Sequence, residues 1–125
     1  MIEDYRLYVL VRNDMLSLAG GKMAAQVAHA ANQFVKLIKS SDPYYKEFKK
    51  WQGSLGYGTT IVLSANEKQI EEIMNRGFDN PMGVVIDETY PLKDGRTTHY
   101  FPCMTCGYTF GPRRFELVSH LELMK

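Results

Sequence analysis

Apolar positions along the chain alternate between short β-branched runs and longer stretches with helical spacing. Compact runs at residues 8–11, 59–63 and 83–86 predict three buried strands. The stretches between them predict helices: one from near Lys22 to about Ser40, one restarting at Asp42-Pro43, and one that follows Asn66 and stops at Gly77. A strand followed by a helix and another strand implies a parallel, right-handed crossover.

The last third of the chain is less regular. Pro91 and the Asp94-Gly95 pair mark turns, so residues 88–98 are expected to be irregular. A fourth strand is expected within residues 99–110, then a final helix over 113–119 and a short edge strand at 121–123. The order β-α-α-β-α-β-β-α predicts an α/β fold with a small four-stranded mixed sheet, a possible fifth edge strand, and helices on both faces. A length of 125 residues fits one domain, residues 1–125.

The first strand, its loop and the first helix form the most informative unit. Gly20 and Gly21 give the backbone freedom to turn and to lie close to a ligand. A helix start offers unpaired N–H groups and the positive end of a dipole, and Lys22 adds a full charge there. Such a corner holds phosphate well.

The first helix also carries a polar stripe. Lys22, Gln26, His29 and Gln33 recur at intervals of three or four and therefore share one side. Small alanines around them allow close packing on a sheet, which suggests a polar groove. A solvated helix face is the alternative, and for an arbitrary helix it is the more common one.

The segment G-K-M-A-A-Q-V-A-H-A-A at residues 21–31, after V-L-V-R-N-D at 9–14, resembles the signature of the type 2 peptidyl-tRNA hydrolase family, V-V-R-x-D-L…G-K-x-A-A-Q-x-x-H-A-A. Residues 62–73 are similar to the family's second strand and third helix, and residues 111–125 to its closing helix and edge strand. The resemblance implies a hydrolase that needs no cofactor, cleaves the ester between peptide and tRNA, and forms a homodimer.

The resemblance also implies a catalytic set. Lys22 matches the family lysine, and we expect it to hold a phosphate or to stabilise the oxyanion. The family aspartate is Asp87 or Asp94, because residues look inserted between them. Asp87 is favoured since a strand end holds a carboxylate better than a turn does, although a capping or turn role is as common. Thr97 and Thr105 resemble the family's threonines.

A second set is expected to bind substrate. Its members lie in or beside the matched motif: Arg12, Asp14, Gly20, Gly21, Gln26 and His29. Asp14 is expected to cap or brace the glycine loop. A lone helix histidine is more often a hydrogen-bonded structural group than a general base, and His29 has that alternative.

The charge and composition of the chain narrow the partners that it is expected to bind. The formal net charge is +1, so the chain has no strong basic field, although local patches can still bind tRNA phosphates. The candidates for such contacts, each of which has a solvated surface as its alternative, are Lys46, Lys49, Lys50, Arg113 and Arg114. No apolar run approaches the roughly 20 residues that span a bilayer, so no membrane association is expected.

Cys103 and Cys106 have the C-x-x-C spacing of a zinc or redox pair, with His99 and His120 as the nearby candidate ligands. One such pair is a weak signal, and we expect two thiols without metal. Two cysteines suit a reducing compartment, which favours the cytoplasm.

Taken together, these features predict a cytoplasmic peptidyl-tRNA hydrolase. The alternative is a non-catalytic relative that keeps the fold and binds RNA or a protein partner, since residues 87–105 depart from the family pattern. A small zinc-binding interaction module is a remote third possibility that depends only on the C-x-x-C pair.

Overall fold

The computed structural model describes residues 4–125, which build a mixed sheet of five strands in the order β3-β4-β1-β2-β5. The strands are β1 (Tyr5–Arg12), β2 (Thr60–Ala65), β3 (Met82–Asp94), β4 (Thr97–Pro112) and β5 (Glu122–Leu123). β1 and β2 are parallel, β4 runs antiparallel to both β1 and β3, and β5 is antiparallel to β2. The predicted α/β fold with a mixed sheet is confirmed.

Helices cover both faces of this sheet. They are α1 (Gly20–Leu37), α2 (Tyr45–Gly53) and α3 (Glu67–Arg76). On β1, Leu7 and Val9 pack into the core beneath α1 and α2, whereas Tyr8 and Leu10 pack beneath α3. Covering on both sides explains why β1 reads as an uninterrupted apolar run. Within residues 4–125, no helix has the length and apolarity required to cross a membrane.

Aromatic rings hold α1 and α2 to the sheet. Phe34 of α1 packs edge-on against Phe48 and Trp51 of α2, with centroids 5.4 and 5.5 Å apart. The indole of Trp51 donates a hydrogen bond of 2.7 Å to the carbonyl of Thr59. The ring lies against Gly58, whose φ of +73° and lack of a Cβ permit that approach.

α3 begins and ends where its sequence predicts. The side chain of Asn66 accepts a hydrogen bond from the backbone of Gln69, and the Gln69 side chain accepts one from Asn66. This reciprocal capping box satisfies two N–H groups at the helix start. Gly77 closes the other end, as expected.

The expectation that residues 88–98 are irregular is wrong. β3 continues to Asp94 and pairs with β4 as an antiparallel ribbon, in register from Tyr90 opposite Phe101 to Asp94 opposite Thr97. The Asp94-Gly95 pair does mark a turn, but it is that of a hairpin: Asp94 is still paired with Thr97, and the two turn residues are Gly95, at a φ of +62°, and Arg96. β3 is an edge strand, and an edge strand tolerates Pro91 because one side of it needs no N–H donor.

The expected final helix over residues 113–119 is also wrong. The chain makes a single 3₁₀ turn there, Glu116–Val118, before it returns to pair with β2. The Phe115 ring packs 5.8 Å from the ring of Tyr8, which fixes the start of this turn. The backbone N–H groups of Val118 and Ser119 donate to the carbonyls of Phe115 and Glu116, three residues earlier, which is the hydrogen-bond pattern of a 3₁₀ turn and not of an α-helix.

The limits of α1 and α2 differ slightly from the predicted ones. α1 ends at Leu37 rather than near Ser40. The Asp42 side chain accepts a hydrogen bond of 2.8 Å from the backbone of Tyr44, and α2 begins only at Tyr45. Asp42 therefore shapes the turn that leads into α2 instead of standing directly at its N-terminus.

Candidate active site

Two irregularities in the β3–β4 pairing surround Asp87. Val85 pairs with Cys106 but Ile86 pairs with Met104, so Thr105 is an extra residue on β4. A second shift, between Asp87 and Tyr90, leaves an extra residue on β3. Bulges of this kind bend a strand and re-aim its side chains, and they are frequent beside active sites.

Thr105, Gln26 and Asp87 form a continuous chain of hydrogen bonds. The hydroxyl of Thr105 donates to Oε1 of Gln26 at 2.7 Å, and Nε2 of Gln26 donates to Oδ2 of Asp87 at 2.6 Å. Thr105 is fully buried and Gln26 is 3% exposed. Since each polar group has a partner, the buried amide is held in one orientation and aims its donor at the carboxylate.

Asp87 is held at its second oxygen as well. Its Oδ1 accepts hydrogen bonds from the backbone N–H of Thr89 at 3.0 Å and from the Thr89 hydroxyl at 3.4 Å. The hydrogen bond from Gln26 lowers the pKa of Asp87 most, while burial opposes that effect, and the Thr89 contacts and the charge of His29 lower the pKa further. Asp87 is therefore a carboxylate at neutral pH.

Lys22 lies on the same side of the sheet as Gln26 and Asp87. It precedes Gln26 by one helical turn on α1, and its Nζ lies 5.5 Å from the ring centroid of Tyr90. The Tyr90 ring is fully buried, and its hydroxyl is 3.0 Å from Oγ of Ser17. This packing places a cation beside the segment of β3 that carries Asp87.

The start of α1 is open. Gly20 has a φ of +54°, and Ala19 at the N-cap has no side chain that can accept from the first-turn N–H groups. A Cβ at Gly20 or Gly21 would meet no atom within 4 Å. A ligand can thus approach the backbone at this corner, one residue from Lys22.

Two of the expected catalytic residues lie elsewhere. Asp94 and Thr97 pair with each other at the tip of the ribbon. Asp94 follows Asp87 by seven strand positions, roughly 23 Å along the ribbon. The structure therefore brings Asp87, but neither Asp94 nor Thr97, to the neighbourhood of Lys22.

Arg12 and Asp14 form a separate polar group. Nε of Arg12 donates to Oδ1 of Asp14 at 2.8 Å, and Nη1 of Arg12 lies 3.0 Å from Oε2 of Glu67. Oδ2 of Asp14 accepts from the backbone N–H of Glu67 at 3.2 Å, and the hydrogen bond with Arg12 lowers the pKa of Asp14. Asp14 braces the start of α3, not the glycine loop as expected.

The polar stripe of α1 packs against the sheet over most of its length. Gln26 contacts Asp87 and Thr105, and Nε2 of Gln33 donates to the carbonyl of Val84 at 2.9 Å. His29 is the exposed member, and its charge acts on the nearby carboxylate of Asp87. The stripe is thus mainly a contact between α1 and β3–β4 rather than a solvated face.

Three residues of this site were missed from the sequence: Ser17, Thr89 and Tyr90. For Thr89 a signal was present, because Asp-x-Thr is the spacing at which an aspartate side chain accepts from the backbone two residues later. Ser17 and Tyr90 had no such signal, since their contact joins a loop to a strand 73 residues away.

The C-x-x-C cysteines are free thiols. Burial raises the pKa of Cys106 to about 11, and Sγ of Cys103 lies 3.8 Å from Sδ of Met15. Across residues 4–125, no three or more His, Cys, Asp or Glu side chains are grouped so as to hold a metal ion.

Comparison with known proteins gives a family. The model of the family described as peptidyl-tRNA hydrolase PTH2 matches residues 5–120. The chain is 29% identical over 124 residues to a peptidyl-tRNA hydrolase of Thermococcus onnurineus, covering 96% of this chain and 98% of that protein. It is 27% identical over 124 residues to the bovine mitochondrial peptidyl-tRNA hydrolase 2, covering 96% of this chain and 64% of that protein.

A solved structure of a protein of unknown function from Agrobacterium tumefaciens strain C58 is similar in fold. The TM-score is 0.55 at 14% identity, over 99% of this chain and 100% of that one. Likeness at such identity concerns the fold alone. The family match covers nearly all of the described residues, including both halves of the candidate site, and the chain therefore belongs to the PTH2 family of peptidyl-tRNA hydrolases.

Proposed function

We propose that this protein hydrolyses the ester bond that joins a peptide to the 3′-terminal ribose of tRNA, with Asp87 and Lys22 as its catalytic residues. The observation that carries the proposal is the hydrogen-bonded chain from Thr105 through Gln26 to Asp87, beside Lys22. It supplies an oriented carboxylate and a cation on one side of the sheet, and Lys22 and Gln26 lie within the matched family motif.

Asp87 orients and polarises the attacking water. Gln26 and Thr89 each occupy one of its oxygens, and the remaining lone pairs can accept from a water. A carboxylate with a lowered pKa is a weak base, so its contribution is to hold the water and stabilise positive charge as the proton leaves. An ester has a good leaving group, which makes this sufficient without a cofactor.

Lys22 supplies positive charge for the other half of the reaction. Its ammonium group stabilises the oxyanion that forms when water attacks the ester carbonyl, or holds a phosphate of the terminal nucleotides. Gly20 and Gly21 open the helix start beside it to the substrate. Thr105 acts through Gln26 and is a positioning residue.

The proposed function extends to the binding partner, the cellular location and the oligomeric state. We propose that the protein binds tRNA, acts in the cytoplasm and forms a homodimer. The two free thiols suit a reducing compartment. Large apolar side chains are exposed at several sites that association would cover, among them Leu16, Leu37 and Phe78. Sedimentation equilibrium tests the dimer directly.

The test of function is release of an N-blocked aminoacyl group from tRNA by the purified protein. We expect turnover by the unmodified protein and a loss of about 100-fold or more in Lys22→Ala and in Asp87→Asn. Asp94→Asn is the matched control, because it removes a carboxylate at the ribbon tip and is expected to retain activity. Binding of tRNA without turnover would instead identify a relative that recognises RNA without catalysis.

A further inference from the structure

The β3–β4 ribbon projects beyond the rest of the sheet. Pairing between β1 and β4 reaches only Val11 opposite Cys106, whereas β3 and β4 remain paired out to Asp94 and Thr97. Several contacts hold the ribbon at its base. Besides those of Gln26 with Asp87 and Thr105, the Tyr90 hydroxyl contacts Oγ of Ser17, and Nη1 of Arg12 donates a hydrogen bond of 3.1 Å to the carbonyl of Met104. The ribbon is thus an anchored arm that begins at the candidate active site.

One face of this arm continues the candidate site. Residues directly opposite each other on paired strands share a face, so Phe101 shares the face of Tyr90, and His99 shares that of Leu92. The rings of His99 and Phe101 lie 6.0 Å apart at 32°. Phe101 is 49% exposed and Leu92 37% exposed. We call Phe101, His99 and Leu92 the aromatic stripe.

The opposite face differs. Tyr100, opposite Pro91, is 65% exposed and points away from the stripe. Tyr100 is an aromatic residue on the same arm, one position from Phe101, but it lies on the face that does not lead to Lys22 and Asp87.

The arm has no net positive charge with which to bind a phosphate backbone. Within residues 88–102, Glu88 and Asp94 balance Lys93 and Arg96. What it presents is ring surface. Unpaired RNA bases stack on aromatic side chains whatever the RNA sequence is, because every base has a π-face.

We propose that the aromatic stripe binds the unpaired 3′-terminal bases of tRNA, with the last base stacked on Phe101. The inference deepens the proposed function and rests on it for the identity of the RNA. Phe101 lies two positions along β4 from Cys103, the partner of Asp87, or about 7 Å along the strand. That interval is similar to the size of one nucleotide. When the ester lies at Asp87, the base of the same terminal nucleotide can therefore reach Phe101.

A peptide is a poorer fit for this face. Extended peptides are recognised chiefly through backbone hydrogen bonds at a sheet edge, with side-chain pockets beside it. The stripe instead lies on the face of the ribbon rather than along the free edge of β3, and it presents two neighbouring rings and a leucine.

The test uses a short RNA that ends in CCA, with 2-aminopurine in place of the last adenine, because stacking quenches that fluorophore. We expect binding with quenching by the unmodified protein. Phe101→Ala should weaken binding roughly 5- to 100-fold and abolish the quenching, and His99→Ala should weaken it less. Phe101→Trp should preserve both signals, and Tyr100→Ala should leave both unchanged.

Phe101→Leu separates stacking from apolar contact. It keeps an apolar side chain but has no ring, and it should resemble Phe101→Ala. Affinity preserved in Phe101→Leu, or lost equally in Tyr100→Ala, would overturn the proposal, because RNA binding would then not depend on stacking against the Phe101 ring. Circular dichroism confirms that each variant is folded.

Failure of this inference is distinguishable from failure of the proposed function. Hydrolysis of peptidyl-tRNA without quenching of the probe would overturn the stripe as a base-binding subsite and leave the hydrolase in place. Binding with quenching in a protein that does not hydrolyse the ester would support the stripe and overturn the catalytic role.

Discussion

Gln26 and Asp87 lie 61 residues apart and meet through a hydrogen bond of 2.6 Å from Nε2 of the amide to Oδ2 of the carboxylate. The amide can hold that position because its oxygen accepts from the buried hydroxyl of Thr105. A residue of the first helix thereby fixes both the orientation and the ionisation of a strand carboxylate.

The first prediction concerns that ionisation. In Gln26→Ala, the pKa of Asp87 should rise, because its largest lowering contact is lost while partial burial remains. The acid limb of the pH–rate profile should move to higher pH. A carboxyl-carbon NMR titration of Asp87 measures the shift directly.

Gln33→Ala is the matched control, since Gln33 also donates from α1 to β3, but to the carbonyl of Val84. It should leave the titration of Asp87 unchanged. If both variants shifted the titration equally, a general loosening of α1 would be responsible rather than the hydrogen bond.

The second prediction uses two fully buried threonines on β4. Thr105→Val leaves Oε1 of Gln26 without its donor and should lower the free energy of unfolding by about 1–3 kcal/mol. Thr109→Val should be neutral or stabilising, because within the described part of the chain Oγ1 of Thr109 has no hydrogen-bond partner. Urea denaturation of both variants measures the difference, and equal losses would argue against the role given to Thr105.

The third prediction separates the two roles of Lys22. If its ammonium group stabilises the oxyanion, Lys22→Ala should lower kcat by about 100-fold with little change in KM. If it holds a phosphate, KM should rise and the salt dependence of binding should weaken. Lys36→Ala, at the exposed end of the same helix, should alter neither; steady-state kinetics at two salt concentrations measure both quantities.

The fourth prediction is a pH dependence of stability. The pKa of Asp87 is lower in the folded protein, so its ionisation stabilises the fold above the unfolded value of about 3.9. That stabilisation is lost as pH falls through the folded pKa. The difference in unfolding free energy between the unmodified protein and Asp87→Asn should therefore be larger at pH 7 than near pH 3; a difference that stayed constant would contradict it.

The fifth prediction concerns the packing of α2. Gly58→Ala should destabilise the protein by more than about 1 kcal/mol, because a Cβ would overlap the Trp51 ring and φ is +73°. Gly53→Ala is the control: its φ is −80° and the space around it is open, so it should be neutral or slightly stabilising. Thermal unfolding compares the two.

The sequence was sufficient where structure is local. The apolar runs of β1 and β2 and the capping box of α3 depend on neighbours within a few residues, and their expected elements were confirmed. The motif around Lys22 and Gln26 was also enough to indicate the family, which the comparison with known proteins confirmed.

The sequence was insufficient where pairing is distant. Residues 88–98 read as irregular because Pro91 and Gly95 are turn residues, yet cross-strand bonds to β4 make them a ribbon. The choice between Asp87, which was favoured, and Asp94 was likewise open, because residues look inserted between them relative to the family pattern.

By itself, then, the sequence determined the order of strands and helices from β1 to β4, the polar stripe of α1 and the family. Only the tertiary structure decided that Gln26 joins Thr105 to Asp87, and that Asp94 stands at the far end of an arm. The physical reason is that propensity and periodicity act over a few residues, whereas bulges and strand register place side chains from distant segments against one another.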